Sequence, residues 1–211
     1  MTTTVDWTAV ERRARWLDVL VTVPLVGWFA SLVALTGGFV LWSGAGAWWA
    51  VAAYSASFVA LLVLQRTVPR LRRTAELGHR MQFALRHHLD PGAGAREKAD
   101  VLARRQAQLG WVPWSTPLPV AAFLLNGRWD RPATAVPAAV VLVGLSVAGA
   151  VLLHRQVRAA RRWVAEPPGP PREVPPPTAL ERWTGGRRML LVALALVVLG
   201  LLAGLLAALL S

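Results

Sequence analysis

The sequence of 211 residues contains no cysteine, and Lys98 is the single lysine among 23 basic residues. Without cysteine the chain has no disulfide framework, no thiolate metal site and no cysteine nucleophile. Charged residues make up only 16% of the chain, against roughly 25% in an ordinary soluble domain. The hydrophobic content of 55% excludes an intrinsically disordered chain. The composition therefore favours a membrane protein over a soluble globular domain.

The apolar residues fall into runs about as long as a bilayer is thick. Four runs have the length that a helix needs to cross about 30 Å of hydrocarbon: Val19–Trp42, Gly46–Leu64, Val136–Leu153 and Met189–Leu210. We expect helices there, because strands with open edges leave backbone groups unpaired in lipid. The sequence predicts an all-α fold, a polytopic transmembrane helical bundle.

A fifth segment, Trp111–Leu125, is apolar but short, and it has three prolines among its first nine residues. It either crosses the membrane or is re-entrant, which gives five spans or four. If it crosses, 21 of the 23 basic residues lie on one side, and Arg128 and Arg131 lie on the other. Since positive charge collects in cytoplasmic loops, we predict five spans in the cell inner (plasma) membrane, with the N-terminus inside and the C-terminus outside.

The spans divide the chain into six segments. In order they are a cytoplasmic amphipathic segment (residues 1–16), a transmembrane hairpin (17–64), a basic cytoplasmic helical hairpin (65–110), a short proline-rich span with the fourth span (111–154), a basic proline-rich cytoplasmic linker (155–188) and a C-terminal transmembrane helix (189–211). In the cytoplasmic hairpin, the apolar spacing predicts helices over Thr67–Leu89 and Ala95–Leu109. The sequence Asp90–Gly92 separates them, because proline disfavours helix for the residue before it.

The cytoplasmic segments carry arginines that either contact headgroups or a partner, or serve only to set the topology. The candidates for contact are Arg70, Arg73, Arg80, Arg155, Arg158, Arg161 and Arg162. A net charge of +12 suggests nucleic acid in a soluble domain, but positive-inside topology explains it here. We therefore expect anionic headgroups at the inner face as partners, and no nucleic acid.

Small residues recur every four positions in three spans, a spacing that lets helices approach closely. The stripes are Ala52, Ala56 and Ala60, then Gly144 and Ala148, and then Gly200, Gly204 and Ala208. They serve either packing within the chain or association with other proteins. Because the last span follows a long proline spacer, we expect it to support a homo-oligomer or a larger membrane complex.

Residues that carry chemistry are few. Asp18 lies at the inner end of the first span, where pairing with an arginine or with headgroups competes with a transport role. With the hydroxyls of the spans it forms a candidate polar path: Asp18, Thr22, Ser31, Tyr54 and Ser57.

The first hairpin helix carries candidate metal ligands, the three hairpin histidines His79, His87 and His88, followed by Asp90. His79 and His87 lie about 12 Å apart along a helix, too far to chelate one ion. We therefore expect no metal and no cofactor.

Three functions remain open. The leading prediction is a non-enzymatic membrane protein, an accessory subunit or scaffold that acts through protein–protein or protein–lipid contacts. The alternative is a small oligomeric channel or transporter, which requires the polar residues of different spans to converge. The third is an enzyme of the inner leaflet that uses the three hairpin histidines. The sequence has no phosphate loop, no nucleophile elbow and no His-Glu-x-x-His motif.

Overall fold

The described part of the chain is helical, apart from one short strand pair. The structure, a computed structural model, describes residues 5–39, 42–43 and 45–169 and the single residues Pro176 and Leu191. Its elements are α1 (Trp7–Thr36), β1 (Gly38–Phe39), β2 (Trp42–Ser43), α2 (Ala45–Thr67), α3 (Pro69–His87), α4 (Ala93–Gln108), a 3-10 turn (Leu109–Trp111), α5 (Val112–Ser115), α6 (Pro117–Leu125) and α7 (Pro132–Ala165). Strands β1 and β2 pair antiparallel, Gly38 with Ser43 and Phe39 with Trp42. The C-terminal span and its stripe of Gly200, Gly204 and Ala208 lie outside the described residues.

Two of the described helices are long and apolar enough to cross a membrane. They are Gly46–Thr67 within α2 and Pro132–Ala165, which is α7. Leu20–Thr36 of α1 is also apolar but shorter. Only 11% of the most apolar window of α2, and 22% of that of α7, is buried against the rest of the chain. The core helix of a soluble protein is mostly buried, so these exposed apolar surfaces fit a lipid environment.

Helix α1 joins the N-terminal segment and the first predicted span in one helix of 30 residues. Its N-cap is Asp6, whose carboxylate accepts hydrogen bonds from the amides of Thr8 and Ala9. The hydroxyl of Thr8 donates to the same carboxylate, and together with the Ala9 amide it holds the pKa of Asp6 below its usual value. The helix ends at Gly37, whose φ of 74° is a left-handed conformation that glycine adopts without strain.

The predicted hairpin helices correspond to α3 and α4, with each end within two residues of the predicted one. α2 and α3 meet at Val68, whose backbone is extended because Pro69 disfavours helix for the residue before it. α3 ends at His88, which has a left-handed φ of 56° and donates its amide to the carbonyl of Ala84.

Two clusters of buried side chains hold the helices together. The first joins α1 to the N-terminal half of α7 and consists of Leu32, Leu35, Ala135, Ala138, Ala139 and Leu142. The second joins α3 and α4 to the C-terminal part of α7 and consists of Ala84, Leu85, Ala99, Ala103, Ala160 and Trp163. We call residues 7–18, 69–108 and 154–165, which surround this second cluster, the helical platform. α7 takes part in both clusters, since its 34 residues extend over about 51 Å.

Helices α5 and α6 run alongside α7 from one of its ends to the other. At the start of this segment, a Cβ atom on Gly110 would collide with the guanidinium of Arg161. At its end, the amide of Arg128 donates to the carbonyl of Leu35 at 2.8 Å. The segment therefore begins at the platform and ends beside the C-terminus of α1 and the N-terminus of α7.

The prolines divide this segment into short helices. α5 and α6 each carry proline in the first helical positions, where the missing N–H costs least. Near the break, the carbonyl of Val112 accepts hydrogen bonds from the hydroxyls of Ser115 at 2.9 Å and Thr116 at 3.0 Å. Such hydroxyls satisfy backbone carbonyls near the prolines.

Candidate functional site

The platform is fixed to α7 by a buried hydrogen bond. The indole Nε1 of Trp163 donates to Asp100 Oδ1 at 2.8 Å, and the two residues are 1% and 5% exposed. α4 presents Ala99 and Ala103 to α7, and such small side chains leave room for the indole ring. The ring of His88 packs edge-on against Trp163, with centroids 6.0 Å apart. The buried acceptor and its donor set the register between α4 and α7.

Arg96 joins the turn between α3 and α4 to the residues that follow α7. Its guanidinium lies 3.2 Å from Asp90 Oδ2 and also donates to the carbonyl of Pro168. Asp90 Oδ1 accepts the amide of Gly92 at 2.9 Å. Gly169 has a φ of 87° and lies where a Cβ would collide with Arg96. Asp90, a candidate metal ligand from the sequence, is therefore engaged by Arg96.

The three hairpin histidines have separate partners. The Nε2 of His79, in α3, lies 2.8 Å from the Oδ2 of Asp18, in α1. The ring of His87 packs on Phe83 at 4.3 Å, whereas His88 contacts Trp163. Within residues 5–39, 42–43 and 45–169, no three His, Asp or Glu side chains are grouped so that they could hold a metal ion. The three hairpin histidines therefore do not form the assembled metal site that the enzyme hypothesis requires.

The hydroxyls of the candidate polar path are used within their own helices. Thr22 donates to the carbonyl of Asp18, Ser31 to that of Gly27, and Ser57 to that of Tyr54. The ring of Tyr54 packs against Phe29 with centroids 4.5 Å apart. Asp18 contacts His79, where the sequence suggests an arginine or headgroups as its partner. Within the part of the chain that the structure describes, these contacts form no polar axis of the kind that the channel hypothesis requires.

The described small-residue stripes lie on exposed faces. This holds for all five of their members: Ala52, Ala56, Ala60, Gly144 and Ala148. An added Cβ on Gly144 would meet no atom within 4 Å. The face of α7 that packs on α1 is a different one, which carries Ala135 and Leu142 and ends at Ser146. There the Nε1 of Trp28 donates to Ser146 Oγ at 2.8 Å.

A basic pocket of about 440 Å³ lies where α3, α4 and α7 meet. It is lined by Gln82, Leu85, Arg86, Gln106, Leu152, Arg155, Gln156, Arg158, Ala159 and Arg162. The four arginines are exposed, whereas Leu85 is buried and the glutamines are half-buried. No carboxylate lines the pocket, and in the described part of the chain none forms an ion pair with these arginines. Among the described residues, the pocket therefore concentrates positive charge without a carboxylate counter-ion.

The candidate contact arginines of the sequence separate into two groups. Three of them line the basic pocket, and we call them the α7 arginines: Arg155, Arg158 and Arg162. Arg161 lies against Gly110 on another side of α7. The guanidinium of Arg80 lies over the ring of Trp7, 4.6 Å from its centroid. Arg70 and Arg73 are exposed near the start of α3.

Sequence reasoning missed the other half of this pocket. Arg86 of α3 and Gln106 of α4 face the α7 arginines only because the helices cross there. No local motif marks either residue, since both are ordinary polar residues of an amphipathic helix. The available signal was the one-turn spacing of the arginines on α7, which predicts a shared face.

Comparisons with known proteins assign no function to the basic pocket, so its function has to be inferred from its own residues. Scans against models of protein families, curated proteins and solved structures find no match.

Proposed function

We propose that this chain is a multi-pass protein of the inner membrane that carries out no catalysis. It serves as an accessory subunit or scaffold, and the helical platform at the inner face makes its contacts. The observation that carries the proposal is the continuity of α1 and α7, which extend from exposed apolar surface into the packed platform without a break. A helix that belongs to both regions holds the platform at a fixed position relative to the bilayer.

The course of α5 and α6 supports five crossings over four. The segment starts next to Arg161 and ends next to Leu35, at opposite ends of the bundle. A re-entrant segment returns to the side on which it began, so its two ends would lie at the same end of the bundle. The short span can be accommodated, since a bilayer thins locally or flanking residues extend to the interface.

The charge distribution supports placing the platform inside. Apart from Arg128 and Arg131, all described basic residues lie in the first turns of α1, at the end of α2, in α3 and α4, or at the end of α7. These segments meet at the platform end of the bundle. The positive-inside rule assigns that end to the cytoplasm.

The exposed stripes of α2 and α7 support association with other membrane helices. Lipid solvates leucine as well as another leucine does, so close approach at small residues must drive contact within the bilayer. Ala56 and Gly144 lie on exposed faces, open to a second copy, to a partner subunit or to the chain's own last span. We propose a homo-oligomer or a subunit of a larger complex.

Cross-linking from single cysteines tests the scaffold proposal. The chain has no cysteine of its own, so each substitution gives one site for a photo-cross-linker. Glu97→Cys lies on an exposed face of the platform, and Leu61→Cys is the matched site on the exposed apolar surface of α2, away from its alanine stripe. In native membranes, we expect a discrete protein adduct from Glu97→Cys and lipid adducts from Leu61→Cys. If several exposed platform positions give no protein adduct, the chain is not a scaffold of this kind.

A further inference from the structure

From the basic pocket we infer that the protein binds the phosphate group of an anionic phospholipid between α3, α4 and α7. The inference rests on the proposed membrane orientation, and it deepens that proposal by naming the lipid class and the residues that hold it. The residues are Arg86, the α7 arginines, and the side-chain amides of Gln82 and Gln106.

The positive charge of the pocket favours the binding of an anion. Four arginines line one cavity of about 440 Å³ with no carboxylate among the lining residues. An anion bound among like charges lowers their mutual repulsion and is attracted by all of them. A guanidinium offers planar pairs of N–H donors, which match the oxygens of a phosphate in bidentate fashion. The same pocket gives a cation or an uncharged sugar no comparable attraction.

The inner wall of the pocket supplies neutral donors. Gln82, Gln106 and Gln156 line it, each of them half-buried. The buried Oε1 of Gln106 has no hydrogen-bond partner in the described structure. Since amide oxygen and nitrogen are interchangeable by a flip, Gln106 can turn its N–H groups towards an oxygen in the pocket. A bound phosphate can then accept a hydrogen bond from the Gln106 amide nitrogen.

The position of the pocket along α7 favours a lipid over a free phosphate. Leu152 lines the pocket and lies at the end of the apolar run, one turn before Arg155. Val147 and Val151 extend the exposed apolar surface from that point towards the other end of α7. A headgroup in the pocket would therefore leave its acyl chains along apolar side chains. Basic pockets between membrane helices on the cytoplasmic side suit such headgroups.

Native mass spectrometry of the full chain in detergent tests the site. The probes are short-chain phosphatidylglycerol, short-chain phosphatidylcholine of the same acyl length, and inorganic phosphate. We expect one saturable phosphatidylglycerol site and about a hundredfold weaker binding when the α7 arginines are all changed to Gln. Ala159→Phe fills the cavity without changing its charge and should also weaken binding about tenfold or more.

A matched variant separates a site from diffuse attraction. Changing Arg66, Arg70 and Arg73 to Gln removes the same charge from exposed positions outside the pocket, and we expect less than a threefold change. Equal weakening by both triple variants would overturn the proposal, as would unchanged binding in Ala159→Phe. Competition by inorganic phosphate at equal affinity would overturn the lipid assignment. Because this assay uses detergent, it is separate from the cross-linking in native membranes. If the wild-type chain shows no saturable phosphatidylglycerol site while the platform cross-links remain intact, this lipid site is rejected and the scaffold proposal stands.

Discussion

Removing the Trp163 indole N–H should loosen the platform from α7. Trp163→Phe keeps an aromatic ring in the core but deletes the donor to Asp100, 2.8 Å away. Asp100→Ala deletes the acceptor instead. Hydrogen bonds to charged groups contribute about 1.5–3 kcal/mol, whereas neutral ones contribute about 0.5–1.5 kcal/mol. Because both side chains are almost fully buried, we expect this hydrogen bond to contribute an amount within the range for charged groups, about 1.5–3 kcal/mol.

A double-mutant cycle isolates this bond. Each single variant loses the same hydrogen bond, so the double variant should be less destabilised than the sum of the two by about 1.5–3 kcal/mol. Trp129→Phe is the matched control, since its indole also donates a hydrogen bond, to the carbonyl of Leu124 at 2.9 Å, but is half-exposed and lies outside the platform. We expect no effect of that variant on the platform.

Thiol protection measures the opening of the platform directly. Ala103 is fully buried in the platform core, and Ala103→Cys would be the single cysteine of the chain. Its rate of modification in each background gives the free energy of local opening. A coupling below about 0.5 kcal/mol, or equal deprotection by Trp129→Phe, would show that the Trp163–Asp100 bond does not hold the platform.

Three further outcomes are expected. Changing the three hairpin histidines together to Gln should leave the metal content of the purified protein unchanged, because they have separate partners, and elemental analysis checks this. Gly204→Ile should weaken self-association or partner binding about tenfold in native mass analysis, since a bulky side chain holds helices apart. An unchanged assembly would contradict it. Asp6 has a lowered pKa, so its capping contribution should be complete above its usual pKa and be lost as pH falls through the lowered value. Hydrogen-exchange protection factors of Thr8 and Ala9 should fall in that range, and a pH-independent profile would contradict it.

The helical fold was predictable because local signals carry it. The Asp90–Gly92 turn interrupts the chain at a fixed point, and the apolar spacing predicts a helix on each side of it, so the hairpin helices were placed to within two residues. The apolar run predicts a span that ends at Leu153, whereas α7 continues to Ala165 and carries the α7 arginines beyond that run. Five crossings rest on charge counting and remain a prediction.

The pairing of side chains was not predictable because it depends on how the helices dock. His79 with Asp18 and Trp163 with Asp100 are separated by 61 and 63 positions in the chain. Spacing rules identify small-residue faces but do not choose among them. α7 has such a face at Gly144 and Ala148, yet its other face contacts α1, where alanines leave room for Leu32 and Leu35.

Cysteine accessibility in intact cells tests the central claim, a platform held inside by helices that cross the membrane five times. The positions are Ala93, at the start of α4, Asp130, between α6 and α7, Pro170, in the proline-rich linker, and Ser211 at the end of the sequence. A membrane-impermeant maleimide should label Asp130→Cys and Ser211→Cys, and it should label Ala93→Cys and Pro170→Cys only after permeabilisation. Labelling of Ala93→Cys and Pro170→Cys from opposite sides would contradict the crossing of residues 111–125 and with it the five-span arrangement.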